Sequence, residues 1–223
     1  MTTKKTDMTD VERVKKLYDF ENAAYSDGYK FIAGTDEAGR GSLVGPVTVA
    51  AVILPPNIYI PKLNDSKKLS ARRREVLYDE ITAVAVSFSC VEVSVEEVDT
   101  LNVYRATLEG MVRAVKKLSV QPDFVLTDAM KIDFGDNISS RSVVRGDSLS
   151  ASIAAASIIA KVTRDRMADE WSKKFPEYGF EHNRGYGTKE HLAALEKFGA
   201  TPIHRKTFAP VKYMMSNAVK LWD

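Results

Sequence analysis

FIAGTDEAGRGSLVGPVTVAAVILP, residues 31–55, holds two apolar, β-branched runs joined by a turn that contains Gly39, Gly41, Gly45 and Pro46. Residues 30–36 and 47–54 read as the strands of an antiparallel hairpin. Their near-continuous apolarity predicts a sheet covered on both faces. The first run ends on Asp36-Glu37, followed almost at once by Gly39-Arg40-Gly41, and apolar packing gives no reason to finish a buried strand on two acids.

Upstream, Thr9 and Glu12 stand at capping-box spacing, and Val11, Val14, Leu17 and Tyr18 share one helical face, so a single lead-in helix is expected. Downstream, a polar loop (60–70) precedes a helix near 70–84 that Ser70 can cap. SFSCVEVS (87–94) alternates at strand period, and one long amphipathic helix is expected from Val95 to Leu118. Residues 123–128 and 140–147 read as two further strands, each ending on an aspartate, Asp128 and Asp147. A long helix follows Ser148, its first half small and apolar all round, as close packing on a sheet requires. A loop, a helix over Lys189–Phe198 and a basic irregular stretch complete the chain. This order predicts an α/β fold with a mixed five-stranded sheet and helices on both faces.

At 223 residues and 44% hydrophobic content the chain can bury a full core as one large domain. The 32 basic and 30 acidic residues give a net charge of +2, too balanced to announce a nucleic-acid partner by bulk charge. The one cysteine, Cys90, excludes an intramolecular disulfide and a multi-cysteine zinc site, and it reads as a buried strand position. No stretch reaches the length of a signal peptide core or a bilayer span, so a soluble cytoplasmic protein without membrane partners is expected.

If the first, fourth and fifth strands lie side by side and parallel, Asp36, Asp128 and Asp147 converge, because neighbouring strands are about 5 Å apart. The turn swings Glu37 toward them. Each close carboxylate pair repels by roughly 4 kcal/mol at 4 Å and an effective dielectric near 20, so four ionised acids call for cations. An all-oxygen donor set selects hard ions, Mg²⁺ or Mn²⁺, and two of them offset four charges. Two such ions about 4 Å apart clamp an in-line phosphoryl displacement, which points to phosphodiester hydrolysis. Ordinary strand-end and capping roles are the plainer alternative for any one of these acids. Gly39-Arg40-Gly41 offers backbone amides to phosphate or sugar oxygens, although a plain hairpin turn reads equally well; it lacks the Gly-Lys-Ser/Thr of a nucleotide P-loop.

Lys67 and Lys68, with Arg72, Arg73 and Arg74 beyond, are candidates for backbone phosphates or simply solvated charge. Lys161 and Arg164 are expected to pair with Asp165 along their helix. His182, His191 and His204 lack metal-ligand spacing and are expected at the surface or at caps. Trp171 and Phe175 read as core.

The blocks GTDEAGRGSLVGPVTVAAVIL, LNDSKKLS, RGDSLSASIAAASIIAKVTRDR and NRGYGTKEHLAAL, in that order over about residues 30–195, resemble the ribonuclease HII (type 2 ribonuclease H) family, and the lead-in LYDFENAAYSDGY resembles its bacterial branch. The resemblance implies an RNase H-like core over 28–175, a lead-in helix over 1–27 and a helical C-terminal extension of the same domain over 176–223. It implies a two-metal endonuclease, using Mg²⁺ or Mn²⁺, that cuts RNA/DNA hybrids and incises 5′ of single ribonucleotides in duplex DNA, leaving 3′-hydroxyl and 5′-phosphate ends. Carried over by motif, Asp36, Glu37, Asp128 and Asp147 are the metal-binding catalytic acids, with Asp133 and Asp136 as neighbours that invite confusion with Asp128. Gly39, Arg40 and Gly41 contact the 2′-hydroxyl and phosphates, Tyr186 stacks on the sugar just 3′ of the ribonucleotide, and Lys67 binds substrate. Ala129 stands where the family usually has glycine. A monomer is expected. The rivals are the sister ribonuclease HIII, which usually carries a further N-terminal domain for which about 30 residues are too few, a non-catalytic nucleic-acid module on the same fold, and a generic Mg²⁺ phosphotransferase.

Overall fold

In the computed structural model, which describes residues 9–135 and 138–219, the capping box of Thr9 and Glu12 starts α1 (Asp10–Lys16). The lead-in is two helices rather than one, because the chain turns at Tyr18 before α2 (Asp19–Ser26). Tertiary contacts claim the residues at that turn: Tyr18 is buried and donates its hydroxyl to the Ile58 carbonyl at 2.9 Å, while the Leu17 carbonyl accepts from Ala151 N–H at 2.9 Å.

β1 (Ile32–Ala38) and β2 (Val47–Ile53) pair antiparallel from Ala33↔Ile53 to Ala38↔Thr48. Every β2 residue is buried, as an inner strand covered on both faces must be. α3 (Ala71–Val84) begins at Ser70, whose hydroxyl accepts the Arg73 amide, and β3 (Ser87–Val93) pairs antiparallel with β2 at the sheet edge.

The single helix expected over 95–118 is divided into α4 (Val95–Leu101) and α5 (Val103–Lys116). Asn102 divides it, with φ +65 and a side chain that accepts the amides of Tyr104 and Arg105 at 3.0 and 3.1 Å. With ψ 159 this backbone lies outside the αL well, in a region sparsely populated by residues other than glycine, and the two N-cap bonds hold it there as the helix restarts. β4 (Phe124–Asp128) runs parallel to β1, with Thr35 opposite Thr127, and β5 (Ser139–Val143) runs parallel to β4. The order is β3-β2-β1-β4-β5.

α6 (Ala151–Lys174) crosses one face of the sheet with α1 and α3, and α5 covers the other. Alanines fill the inward positions of its first half because the backbone comes very close to β1. A Cβ on Gly34 would lie 2.2 Å from Ile153 N, so Gly34→Ala would force the helix off the strand. α7 (Phe180–Asn183), α8 (Lys189–Phe198) and α9 (Ala209–Val219) follow. Backbone bonds stitch this region to the β1–β2 turn: Leu43 N–H to Gly185 O, Gly45 N–H to Ile203 O and Arg205 N–H to Leu43 O, each 2.8 Å. Among the described residues no helix is long and apolar enough to cross a membrane.

Candidate active site

Parallel pairing of β1 with β4 sets Asp36 and Asp128 side by side, one residue beyond the Thr35–Thr127 pair. Asp147 arrives differently from the strand end expected. β5 stops at Val143, and Asp147 lies in a 3-10 turn, Gly146–Ser148, entered through Arg145 at φ +58. Gly146 N–H donates to Asp128 Oδ1 at 2.7 Å and ties that turn to β4. One carboxylate oxygen from each of Asp36, Asp128 and Asp147 lies within 4.8 Å of the other two.

Glu37 stands at the edge of this group. Its Oε1 accepts from Arg40 Nη1 at 3.0 Å, and its buried Oε2 has no hydrogen-bond partner. Asp133 is not part of the cluster and accepts the Gly135 amide instead; Asp136 lies outside the described residues.

Burial pushes the Asp36 carboxyl well above its ordinary range, and the Glu37 and Asp128 charges push it further, against the Glu37 amide and the Ser157 hydroxyl. Burial likewise raises Glu37, opposed by Arg40, and raises Asp128, opposed by the Gly146 amide. For Lys67, burial alone would lower the pKa, but the Asp147 bond and the charges of Asp147, Asp36 and Asp65 outweigh it and hold the ammonium above its usual value. Lys67 Nζ lies 3.2 Å from Asp147 Oδ2. Buried carboxylates that raise one another's pKa gain most from a cation between them. With only carboxylate donors and an orphaned Glu37 oxygen, the residues fit a hard divalent ion rather than zinc.

Asp36, Glu37, Gly39, Arg40, Gly41, Lys67 and Tyr186 all line one hollow of about 360 Å³, together with Ser66, Ser157 and Lys161. Tyr186 is 43% exposed, and its Cε1 is 3.6 Å from where a Gly41 Cβ would stand.

Two buried arginines support the glycine turn, and the sequence does not announce either. Lys161 does pair with Asp165, at 2.6 Å, but Arg164 does not join them. It donates to the carbonyls of Pro46 and Val44 at 2.8 and 2.9 Å and fills the space over Gly39, whose Cβ would fall 2.2 Å from Arg164 Nε. Arg205 donates to the carbonyls of Gly45 and Arg40 at 2.9 and 3.0 Å. Burial pushes the two guanidiniums down to about 10 and about 9, still protonated at neutral pH.

The expectation for the histidines needs correction. His182 is exposed, but His191 and His204 are fully buried with their Nε2 atoms 3.1 Å apart. Thirteen residues of separation give no periodic signal for such a pair. Of the basic run after Lys68, Arg74 is paired with Asp165 and Arg73 with Glu80, so both are tied to the protein.

Residues 33–211 match the family model described as Ribonuclease HII. A protein of Enterococcus faecalis named Ribonuclease HII is 52% identical over 201 residues, 90% of this chain and 78% of that one. A namesake from Bacillus cytotoxicus is 51% identical over 214 residues, 96% of this chain and 82% of that one. The crystal structure of the ribonuclease H2 from Pyrococcus horikoshii superposes with a TM-score of 0.71 at 24% identity, covering 86% of this chain and all of that one, a likeness of fold.

Proposed function

The chain belongs to the ribonuclease HII family of metal-dependent endonucleases, and from that premise we propose that it hydrolyses the RNA strand of RNA/DNA hybrids and incises duplex DNA 5′ of single ribonucleotides. The cut leaves 3′-hydroxyl and 5′-phosphate ends. The observation that carries this reading is the convergence of three carboxylates, with one oxygen of each within 4.8 Å of the others, beside a hollow shared by a glycine turn and an exposed tyrosine.

In this reading Asp36, Glu37, Asp128 and Asp147 hold two divalent cations, Mg²⁺ or Mn²⁺. Bound there, such a pair supplies a hydroxide nucleophile and stabilises the leaving oxygen. The remaining work belongs to the protein's own groups. Amides of Gly39, Arg40 and Gly41 meet the 2′-hydroxyl and the adjoining phosphate, the 2′-hydroxyl being what separates RNA from DNA at one position. The Tyr186 ring stacks on the next sugar, where a 2′-substituent would obstruct it. Arg40 orients Glu37, and Lys67 supplies a point charge to the phosphate backbone.

The same reading takes residues 1–27 as a lead-in, 28–175 as the catalytic core and 176–223 as a helical extension of one domain, working as a monomer in the cytoplasm. Support for the extension's membership comes from the backbone bonds of Leu43 and Gly45 to Gly185, Ile203 and Arg205. A ribonuclease HIII-like enzyme is the nearest rival, disfavoured by the 52% identity to a ribonuclease HII. A non-catalytic module predicts the loss of an acid, and all four acids are present.

The test is a labelled duplex bearing one internal ribonucleotide, incubated with Mg²⁺, with Mn²⁺ or with chelator. Cleavage 5′ of the ribonucleotide with a 3′-hydroxyl end, only when a divalent ion is present, is the expected result. Equal cutting in chelator, or none with either metal, would sink the proposal.

A further inference from the structure

The buried His191–His204 pair takes no part in the chemistry above, yet its proton positions are dictated at both ends. Thr201 N–H can only donate and lies 2.9 Å from His204 Nδ1, so that nitrogen carries a lone pair and the proton of the neutral ring sits on Nε2. His204 Nε2–H then donates to His191 Nε2 at 3.1 Å. That leaves the His191 proton on Nδ1, 3.0 Å from the Tyr186 carbonyl oxygen, which can only accept. The two tautomers close a directed chain, Thr201 to His204 to His191 to Tyr186, with one proton per ring. The second lone pair of the Tyr186 carbonyl takes the Thr188 amide at 2.8 Å. Phe180 packs edge-on to His191 at 5.2 Å between ring centroids, and Tyr178 flanks both imidazoles. Burial lowers the pKa of both rings, His204 to about 4, so the chain of bonds persists at neutral pH.

The next residue supplies the matching anchor on the other side of the hollow, because Arg205 Nη1 donates to the Arg40 carbonyl at 3.0 Å. Adjacent residues therefore grip the two parts that read neighbouring sugars in the reading above: His204 holds Tyr186 through His191, and Arg205 holds the glycine turn.

We propose that His191 and His204 are positioning residues for junction recognition, fixing the Tyr186 ring at its distance from Gly41 and so setting the preference for single ribonucleotides over continuous hybrids. The inference rests on the reading that Tyr186 and the glycine turn recognise the junction.

The experiment measures kcat/KM on a duplex with one ribonucleotide and on a continuous RNA/DNA hybrid, for the wild type, Tyr186→Ala, His191→Leu and His191→Asn. Leucine and asparagine share a shape, and only asparagine keeps a donor near the Nδ1 position. Loss of one buried hydrogen bond predicts that His191→Leu lowers the single-ribonucleotide to hybrid ratio by about tenfold, toward Tyr186→Ala, while His191→Asn stays within about threefold of wild type. His204→Met and His204→Gln form a second matched pair in which only glutamine retains the Nε2-type donor, and the same split is expected. An unchanged ratio in His191→Leu and His204→Met, or equal loss on both substrates in all four histidine variants, overturns the inference when Tyr186→Ala lowers the ratio. A wild-type ratio in Tyr186→Ala overturns the underlying reading of the tyrosine itself.

Discussion

Lys67 Nζ lies 3.2 Å from Asp147 Oδ2, joining a lysine side chain that is 76% exposed to a carboxylate that is only 7% exposed. Such a half-exposed pair adds little to stability. In the proposed reading it keeps an ammonium at the mouth of an acidic site, where substrate phosphates would approach. Lys67→Ala is expected to leave the melting temperature within about 2 °C and to reduce the salt slope of duplex binding by about one counterion. Fluorescence anisotropy across a salt series measures it, and an unchanged slope would remove Lys67 from the phosphate contacts.

Asp36→Asn keeps an oxygen to accept the Glu37 amide, now 2.7 Å from Asp36 Oδ1, while deleting a charge that Glu37 and Asp128 both oppose. In chelator the variant should melt no lower than wild type, since it relieves buried like-charge repulsion. Cleavage should fall by about three orders of magnitude or more, the scale expected when a metal-bound acid is lost from a charge-neutralising site. Wild-type cutting by this variant would remove Asp36 from the machinery.

Ala129 sits at φ +52 directly after Asp128, with its amide donated to the Val143 carbonyl at 3.0 Å. An L-residue there costs roughly 1–2 kcal/mol, and glycine gives back about 0.4–1 kcal/mol through a freer unfolded chain. Ala129→Gly should therefore stabilise the protein by about 0.5–1 kcal/mol in urea melts, with cleavage preserved. A loss of stability would mean that the Ala129 methyl group does packing that outweighs its strained backbone.

Glu21 clamps the start of α6. Its Oε1 accepts the Ser150 and Ser152 hydroxyls at 2.6 Å and the Ser152 amide at 2.9 Å, while Oε2 is buried and unpartnered. Burial raises its pKa despite those bonds. A carboxyl raised in the folded state favours folding below its unfolded value and loses that contribution as pH climbs through the folded one. Glu21→Gln keeps the acceptor and removes the titration. The variant should gain on the order of 1 kcal/mol relative to wild type between pH 4.5 and pH 8, measured by denaturant melts at both. A relative loss over that interval would mean the ionised form is the one the clamp favours.

Strand patterning makes much of this legible in advance. The apolar runs ending at Asp36 and Asp128, together with the right-handed crossover rule, suffice to bring those two carboxylates together. Asp147 is harder, because the polar exposed stretch of β5 hides where the strand stops and a left-handed Arg145 makes the turn. Asn102 conceals its break for a related reason: periodicity continues across it, and only its backbone angle reveals a new helix start. Arg164 misleads because it stands directly beside Asp165 in sequence, yet i,i+1 residues of a helix do not face each other, and its partners, Val44 and Pro46, lie about 120 positions away on a packed turn. Glu21, His191 and His204 belong to the same class of long-range polar contacts that no local pattern encodes.

The bonds from Arg205 to Gly45 and Arg40 span 160 and 165 positions of chain. Closing contacts of such separation is slow compared with forming a hairpin. During refolding the glycine turn should thus acquire its final shape after the β1–β2 hairpin has paired, so the strand that carries Asp36 is in place before the turn beside it is locked.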